Sequence, residues 1–496
     1  MINDGRDERR LVGIDLGIAS DHTVRVLDGQ GGQVCRRRAR PTLDSLTVVE
    51  TAALAGAPAG TRLEVVMEPT GPAWLPIAVF FSARGHRVFR VSSAKAADLR
   101  RFLSRHAKSN GIDADTLARL PLLAPASLHP LELVSTAEAA ALDRRVRACD
   151  RLTQQGALHQ RRIKDLVRQL MPATPLAGEL SKTDLAVLGR WPDPRALLAA
   201  GRSRLLATIT KASHGHQGAA RAEQWRIAAT AAVAVYAEHP AMAWSDLAAE
   251  VATEVRLLQA VRVELAEHAA ARAQAYRFTD PSQLAASLPG LAEVSAPTVT
   301  AIIGRAARFR TGAQFRSFTG LTPRASETGE TDRKGQPMSK AGNRLLRTTL
   351  IRAADNARHQ DPQLAKIYYT QMVDRGAEHL KACCVVAAHL AERLHAVLVR
   401  QMPYVICDID DTPVDPATAK RIITERWTVP AEVRARRRSR KPTRLTPNRR
   451  AGKAPQQVHT GHDKPDTRRV GKRGDLPRRI SSALAASSVK PPEPAS

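Results

Sequence analysis

The 496-residue sequence is short of aromatic residues, at 4%, and short of acid relative to base. So few Phe, Tyr and Trp leave room for only a small base-stacking platform. Cysteine is sparse, with residues at 35, 149, 383, 384 and 407 and no CxxC pair or Cys/His ligand spacing. That pattern excludes a disulfide framework and a zinc ribbon, and the five read as reduced core thiols of a cytosolic protein. No run of 18 apolar residues occurs, and the opening MINDGRDERR is charged with no apolar segment. Neither a secretion signal nor a membrane span is expected.

Basic charge is what the chain does have. Lys and Arg number 76 against 48 Asp and Glu, a net charge of +28. Such an excess points to a polyanionic partner, most simply nucleic acid. Residues 431–496 hold 18 Lys and Arg against 5 Asp and Glu, yet the first 430 still carry +15, so the body is basic in its own right.

The length accommodates two or three domains. Residues 1–134 alternate β-type runs (Leu11–Asp15, Thr23–Leu27, Leu63–Glu68, Arg87–Val91) with helical ones (Leu75–Ala83, Ala94–His106), which predicts an α/β domain. Residues 135–275 are expected to be a helical linker region. Leu142, Val146, Cys149 and Leu152, then Ile163, Val167 and Leu170, and later Val251, Val255, Leu258 and Leu265, fit a helical hairpin, an intermolecular coiled coil, or two helices of one bundle. Residues 173–245 between them carry no readable motif. Residues 276–405 predict a mainly helical domain with a polar loop at 322–343 and helices at 344–358 and 379–400. Residues 406–496 read as a basic, largely disordered tail.

Three acidic segments stand out. Asp15, in Gly13-Ile14-Asp15-Leu16-Gly17, ends a buried strand, a placement shared by ribonuclease-H-like nucleases and by the first phosphate loop of sugar-kinase-type ATPases. Glu68 closes a second apolar strand before Pro69-Thr70-Gly71, whereas Glu64 is out of register with it and reads as structural. Asn110 and Asp113 share a face if a helix starts there; alternatively Asn110 is the helix N-cap with Asp113 at its third position. Asp115 would face elsewhere. Carboxylates from separate elements can hold two Mg²⁺ ions about 4 Å apart for phosphoryl chemistry, and an all-oxygen donor set suits Mg²⁺.

In combination, G-I-D-L-G, V-V-M-E-P-T-G and K-S-N-G-I-D-A, followed by L-P-G-L at 288–291, F-R-S-F-T-G-L-T-P at 315–323 and S-K-A-G-N-R-L-L-R at 339–347, resemble the DEDD-type transposases of the insertion-sequence family numbered one hundred and ten. The resemblance covers roughly residues 10–170 and 250–405. It implies a RuvC-like (RNase-H-like) N-terminal fold, a C-terminal transposase domain, and bacterial, nucleoid-associated action on double-stranded DNA guided by a noncoding bridge RNA. By position, Asp15, Glu68 and Asp113 match the first, second and fourth acidic residues of the metal site. Asn110 stands where the third is usually Asp. The family's nucleophilic serine falls in the loop Pro323–Gly329, where Ser326 and Thr328 are the candidates; both could instead be turn residues that hydrogen-bond locally. The 288–304 segment resembles a helix-hairpin-helix, with Ala292 where a second Gly is common. Arg324, Arg333, Lys334, Lys340, Arg344 and Arg347 are candidate phosphate contacts in a Gly-bearing loop, or else solvated loop charge. Recombining two DNAs implies a homodimer or homotetramer.

The competing functions are a RuvC-like junction endonuclease that does not rejoin strands and a degenerate copy that only binds nucleic acid. An ATPase would need a second Gly-rich phosphate loop downstream, and the sequence has none.

Overall fold

The computed structural model describes residues 9–68, 71–103, 109–125, 128, 136–237, 239, 241–324, 327–328, 331–332 and 336–437. The chain opens with strands β1 (Arg9–Asp15), β2 (His22–Leu27) and β3 (Gln33–Ala39) and helix α1 (Leu43–Leu54). Next come β4 (Arg62–Met67), α2 (Trp74–Ala83), β5 (Arg87–Arg90), α3 (Ser93–Leu103) and α4 (Asn110–Leu123). The five strands form one sheet in the order β3-β2-β1-β4-β5. The β1–β2 and β2–β3 pairs are antiparallel, and β1–β4 and β4–β5 are parallel.

The two central strands are covered on both faces, which is why they read as nearly unbroken apolar runs. One face (Val12, Ile14, Leu63, Val65, Met67) packs against α1 and α2 through Leu46, Val49, Ile77 and Phe81. The opposite face meets α4: Leu117 and Leu120 lie with Val66 and Phe89, and Ala118 lies with Leu11 and Leu27. Strand β3 and helix α1 were not foreseen. β3 is an edge strand whose consecutive Arg36, Arg37 and Arg38 are exposed, so it lacks the apolar alternation that marks a half-buried strand but carries the charge that discourages edge-to-edge pairing.

The middle of the chain is helical: α5 (Ala137–Leu170), α6 (Lys182–Arg190), α7 (Pro194–Ala212), α8 (Ala219–Tyr236) and α9 (Trp244–Thr279). Helices α5 and α9 lie antiparallel within one chain. Arg145 contacts His268 at 3.0 Å, His159 contacts Glu254 at 2.6 Å, and Gly156 faces Leu258 and Val261. One end of the pair, through Ile163, Val167, Val251 and Val255, shares a core with α6–α8 around the fully buried Trp225. The other end, through Leu142, Val146, Ala275 and Tyr276, enters the C-terminal core. Residues 173–245, which carried no motif, thus form the helical body that seats one end of the pair.

The C-terminal part comprises α10 (Ser295–Ile303), α11 (Gly312–Thr319), the two-residue strands β6 (Glu327–Thr328) and β7 (Thr331–Asp332), α12 (Arg344–Ala357), α13 (Pro362–Tyr369) and α14 (His379–Arg400). Helix α14 is long and apolar enough to cross a membrane by length and composition. Its Ala382, Val386, Ala387, Leu390 and Leu394 are buried in the C-terminal core. The start of the expected tail is corrected by the structure: α15 (Pro416–Arg426) and α16 (Ala431–Arg436) follow. Asp415 caps α15 through the Ala417 and Thr418 N–H groups, and Trp427 packs edge-on against Tyr369 of α13. Residues 438–496 of that tail lie outside the described residues.

Truncating Trp225 removes the largest fully buried side chain among the described residues. Trp225→Ala is expected to cost about 3–5 kcal/mol of unfolding free energy, read from urea denaturation. A loss below about 1 kcal/mol would show that this body does not hold the pair's end.

Candidate functional site

The parallel pairing of β1 with β4 runs through Ile14 opposite Met67. Asp15 and Glu68 stand one residue further on each chain, at the carboxyl ends of strands about 4.8 Å apart. Alternation puts them on the face that carries Gly13 and Val66, the face covered by α4. In open α/β sheets, ligands gather at this end of the strands.

Helix α4 reaches the same place because of Gly13. A Cβ at that position would lie 1.9 Å from the Ala114 carbonyl oxygen and 2.4 Å from the Ala118 nitrogen. Only glycine lets the helix backbone rest directly on the strand. Ala118 packs beside Leu11 near the start of β1, so the helix runs back along the strand with its N-terminus toward Asp15. The first turn of α4 holds Asn110 and Asp113, three residues apart. Asp15, Glu68 and Asp113 are therefore gathered at one end of the sheet, with Asn110 exposed at the rim.

Asn110 is not the helix cap. Ser109 is: its Oγ accepts the Ile112 N–H at 3.3 Å, and Asn110 is the first helical residue. A Ser ahead of the Asn competes for the cap, and the chain's extended backbone at Ser109 selects it. The neighbouring acids are occupied elsewhere. Glu64 is buried between Arg87, at 2.7 Å, and Arg9, at 3.7 Å. Asp115 pairs with Arg119 one turn along α4, at 2.7 Å, on the side of the helix away from Asp113. Among the described residues Glu68 has no ion-pair partner.

Two cations border the set, and sequence reasoning missed both. Arg100 of α3 bonds Asp113 at 3.0 Å. The Arg25 guanidinium lies against Gly111, within 2.7 Å of where a Cβ would stand, on the strand residue paired with Gly13. Neither arginine falls in a motif; only the register of β2 and the packing of α3 on α4 reveal them. A third missed residue, His22, is 2% exposed and accepts the Gly17 N–H on Nδ1 at 3.1 Å, fixing the turn that follows Asp15. Its Nε2 is buried without a hydrogen-bond partner among the described residues.

The polar loop belongs to the C-terminal helices. Ser326, Arg333 and Lys334 lie outside the described residues. Thr328 is in β6, whose backbone pairs Thr328 with Thr331. The Arg324 N–H donates to Pro337 O at 3.0 Å, closing the loop's neck, and Arg324, Lys340 and Arg344 are exposed. Arg347 is not a free cation: it bonds the Lys340 and Gly342 carbonyls at 3.2 and 3.3 Å. At 288–291, Gly290 has φ +78°, and a side chain there would strike the Ala353 carbonyl of α12 at 2.2 Å. The turn's next two amides are used internally, Leu291 N to Leu288 O at 3.1 Å and Ala292 N to Ser295 Oγ at 2.8 Å.

Burial lowers the His22 pKa from its ordinary value of 6.5, against the opposing charge of Asp21. The unfolded chain therefore takes the proton first, and stability should fall as pH drops below about 6.5. His22→Asn keeps an acceptor for Gly17 without the titration. Its melting temperature should depend less on pH between about 5 and 6.5 than that of the parent; identical slopes would remove His22 from the acid response.

Two comparisons with known families fall on the segments just described. Residues 12–172 match a family described as "Transposase", of the DEDD type, for which an RNase-H-like fold is implied. Residues 282–370 match "Transposase IS116/IS110/IS902 family". A relative from Pseudomonas aeruginosa, described as "Probable family 20 transposase", is 44% identical over 68 residues; the match spans 14% of this chain and 20% of that protein. The first family match contains the acidic set and the second contains the polar loop on its helical seat, and the chain belongs to the IS116/IS110/IS902 family of insertion-sequence transposases.

Proposed function

We propose that this chain cleaves, exchanges and rejoins DNA strands in insertion-sequence transposition. The observation that carries the reading is the convergence of Asp15, Glu68 and Asp113 at one end of the sheet. This is an all-oxygen set, to which Asn110, three residues before Asp113, could add a carbonyl, and it fits Mg²⁺ in donor chemistry. Bound there, the metal would supply charge for the attacking and leaving oxygens of a phosphodiester.

The residues themselves do the positioning. Gly13 and the Ser109 cap fix where α4 begins, and so where Asp113 stands. The His22–Gly17 bond holds the chain leaving Asp15. Arg100 pairs with Asp113 and would turn to a phosphate if a metal ion took its place. In the C-terminal part, the Ser326 or Thr328 hydroxyl is the proposed nucleophile. Its oxygen bonds to phosphorus as a DNA oxygen leaves, and the proton it loses is matched by the one the leaving oxygen gains. Attack by another strand's hydroxyl reverses the step, so the strand is rejoined without a further energy source. Exposed Arg324, Lys340 and Arg344, with Arg333 and Lys334 from the same loop, would hold the DNA backbone. Double-stranded DNA and a noncoding bridge RNA are the proposed partners, and two active sites per exchange call for a dimer or tetramer.

Asp15→Asn should lower recombination by roughly a hundredfold or more, since a direct ligand is worth at least what a supporting partner is. Binding of DNA and RNA should stay intact. Undiminished recombination would remove Asp15 from the chemistry. A protein–DNA adduct trapped with the parent should vanish in Ser326→Ala or in Thr328→Ala, whichever carries the nucleophile. Cleavage with no adduct and no rejoined product would instead favour a junction endonuclease.

A further inference from the structure

A second cluster of ligand-type side chains lies in the C-terminal part, on elements distinct from those of the acidic set. Asp355 is in the last turn of α12; His379 and Cys383 occupy the first two turns of α14. Cys383 Sγ is 3.7 Å from Asp355 Oδ1 and lies beside the His379 imidazole, 3.6 Å from Nδ1 and 3.9 Å from Nε2, so that a turn of the ring is needed to aim Nε2 at a shared ion; Nε2 is 3.8 Å from Oδ1. The three donor atoms thus form a nearly equilateral triangle. Donors at tetrahedral angles about a common centre stand about 1.6 bond lengths apart. Sides of this size place that centre roughly 2.3 Å from each atom, close to the reach of zinc to sulfur and within about 0.3 Å of its reach to nitrogen and oxygen.

The surroundings supply what such a site needs beyond its ligands. A histidine that binds metal through one nitrogen is usually held by a hydrogen bond at the other. Here His379 Nδ1 is 2.8 Å from the Tyr368 hydroxyl. Arg358 Nε donates to Asp355 Oδ1 at 2.9 Å, and its guanidinium lies 4.2 Å over the Tyr368 ring, so aspartate and tyrosine are fixed by the same arginine. Cys383 is 1% exposed, whereas the Asp355 and His379 side chains are 45% and 36% exposed. One side of the triangle is sealed and the other is open to solvent, leaving room for a fourth ligand such as water.

We infer that Asp355, His379 and Cys383 bind a zinc-class divalent cation that clips the end of α12 to the start of α14. Mixed sulfur, imidazole and carboxylate donors select such an ion over Mg²⁺. Binding converts the Cys383 thiol to a thiolate, with its proton passing to solvent. In the absence of metal the thiol is inert: burial, and then the adjoining Asp355, push its pKa up to about 12. This revises the expectation that every cysteine is merely a core thiol. The spacing concealed the site because Asp355 lies on another helix, 24 residues before His379.

The test is to strip the full-length protein with chelator and titrate it with Co²⁺ alone. One ion per chain should produce a thiolate-to-cobalt charge-transfer band in the near ultraviolet. An ion in the acidic set cannot give that band, because its donors are oxygens. Cys383→Ser should abolish the band. Tyr368→Phe, which leaves all three ligands and a buried ring in place, should weaken Co²⁺ and Zn²⁺ binding by roughly 10–100-fold, with the far-ultraviolet circular dichroism unchanged. If no band appears, or if it survives in Cys383→Ser, the cluster is only a thiol and an imidazole hydrogen-bonded to Asp355. Equal affinity in Tyr368→Phe would overturn the proposed role of the tyrosine in holding His379.

Discussion

The contact on which the acidic set depends is one of backbone on backbone, where α4 lies across β1 at Gly13. Any side chain there would meet the Ala114 carbonyl at well under van der Waals distance, and the helix would have to lift from the sheet. Lifting it would separate Asp113 from Asp15 and open the space that Ala118, Leu117 and Leu120 fill against Leu11, Leu27, Val66 and Phe89. The same glycine therefore serves packing and site geometry together. This is why G-I-D reads as a functional motif although its glycine touches no ligand. Gly290 makes a parallel approach to α12. Part of what a motif of this kind records is how closely a helix must come.

A second constraint operates at longer range. The α5–α9 pair has one end in the core around Trp225 and the other in the C-terminal core. A helix rises about 1.5 Å per residue, so the 34 residues of α5 make a strut of roughly 50 Å whose ends are set in different cores. Its middle is held by few large side chains: Gly156 lets the two helices approach, and His159 and Arg162 both bind Glu254. A strut seated at both ends transmits position along its length better than a flexible linker of the same span.

Much of the sheet was legible because β1, β2, β4 and β5 are apolar runs punctuated by Gly, Pro and charge. The edge strand β3 was hidden by Arg36–Arg38, whose charge suits the sheet's margin and breaks the alternation. In the C-terminal half, α13 escaped notice because its start is set by tertiary contacts. Asp361 caps it through the Leu364 N–H while bonding Tyr404 and Arg393, partners 43 and 32 residues away. Of the acidic set, the order of the residues was readable, but Arg100, Arg25 and His22 were not. They reach it by register and helix packing, which leave no local pattern. The His379–Cys383 pair was equally invisible as a site, since two ligand-type residues one turn apart mean little until a third arrives from another helix.

The chain's charge gives these placements their sense. The first 430 residues, which carry +15, draw in phosphate from any direction, and attraction of that kind would not by itself choose where a strand is cut. Selection requires a place where the field reverses. The acids around the sheet end are mostly neutralised by arginines: Glu64 by Arg9 and Arg87, Asp115 by Arg119, Asp21 by Arg40. Among the described residues, Asp113 is matched by Arg100 alone, at 3.0 Å and with one guanidinium nitrogen, and Glu68 has no ion-pair partner. Among the described residues, Glu68 and Asp113 are thus less fully neutralised than Glu64, which has two arginines. Under the proposed function, a phosphodiester held by the surrounding cations would be repelled there unless a divalent ion came between them, and the charge pattern would then tie the position of cutting to the acidic set while leaving overall affinity to the rest of the molecule.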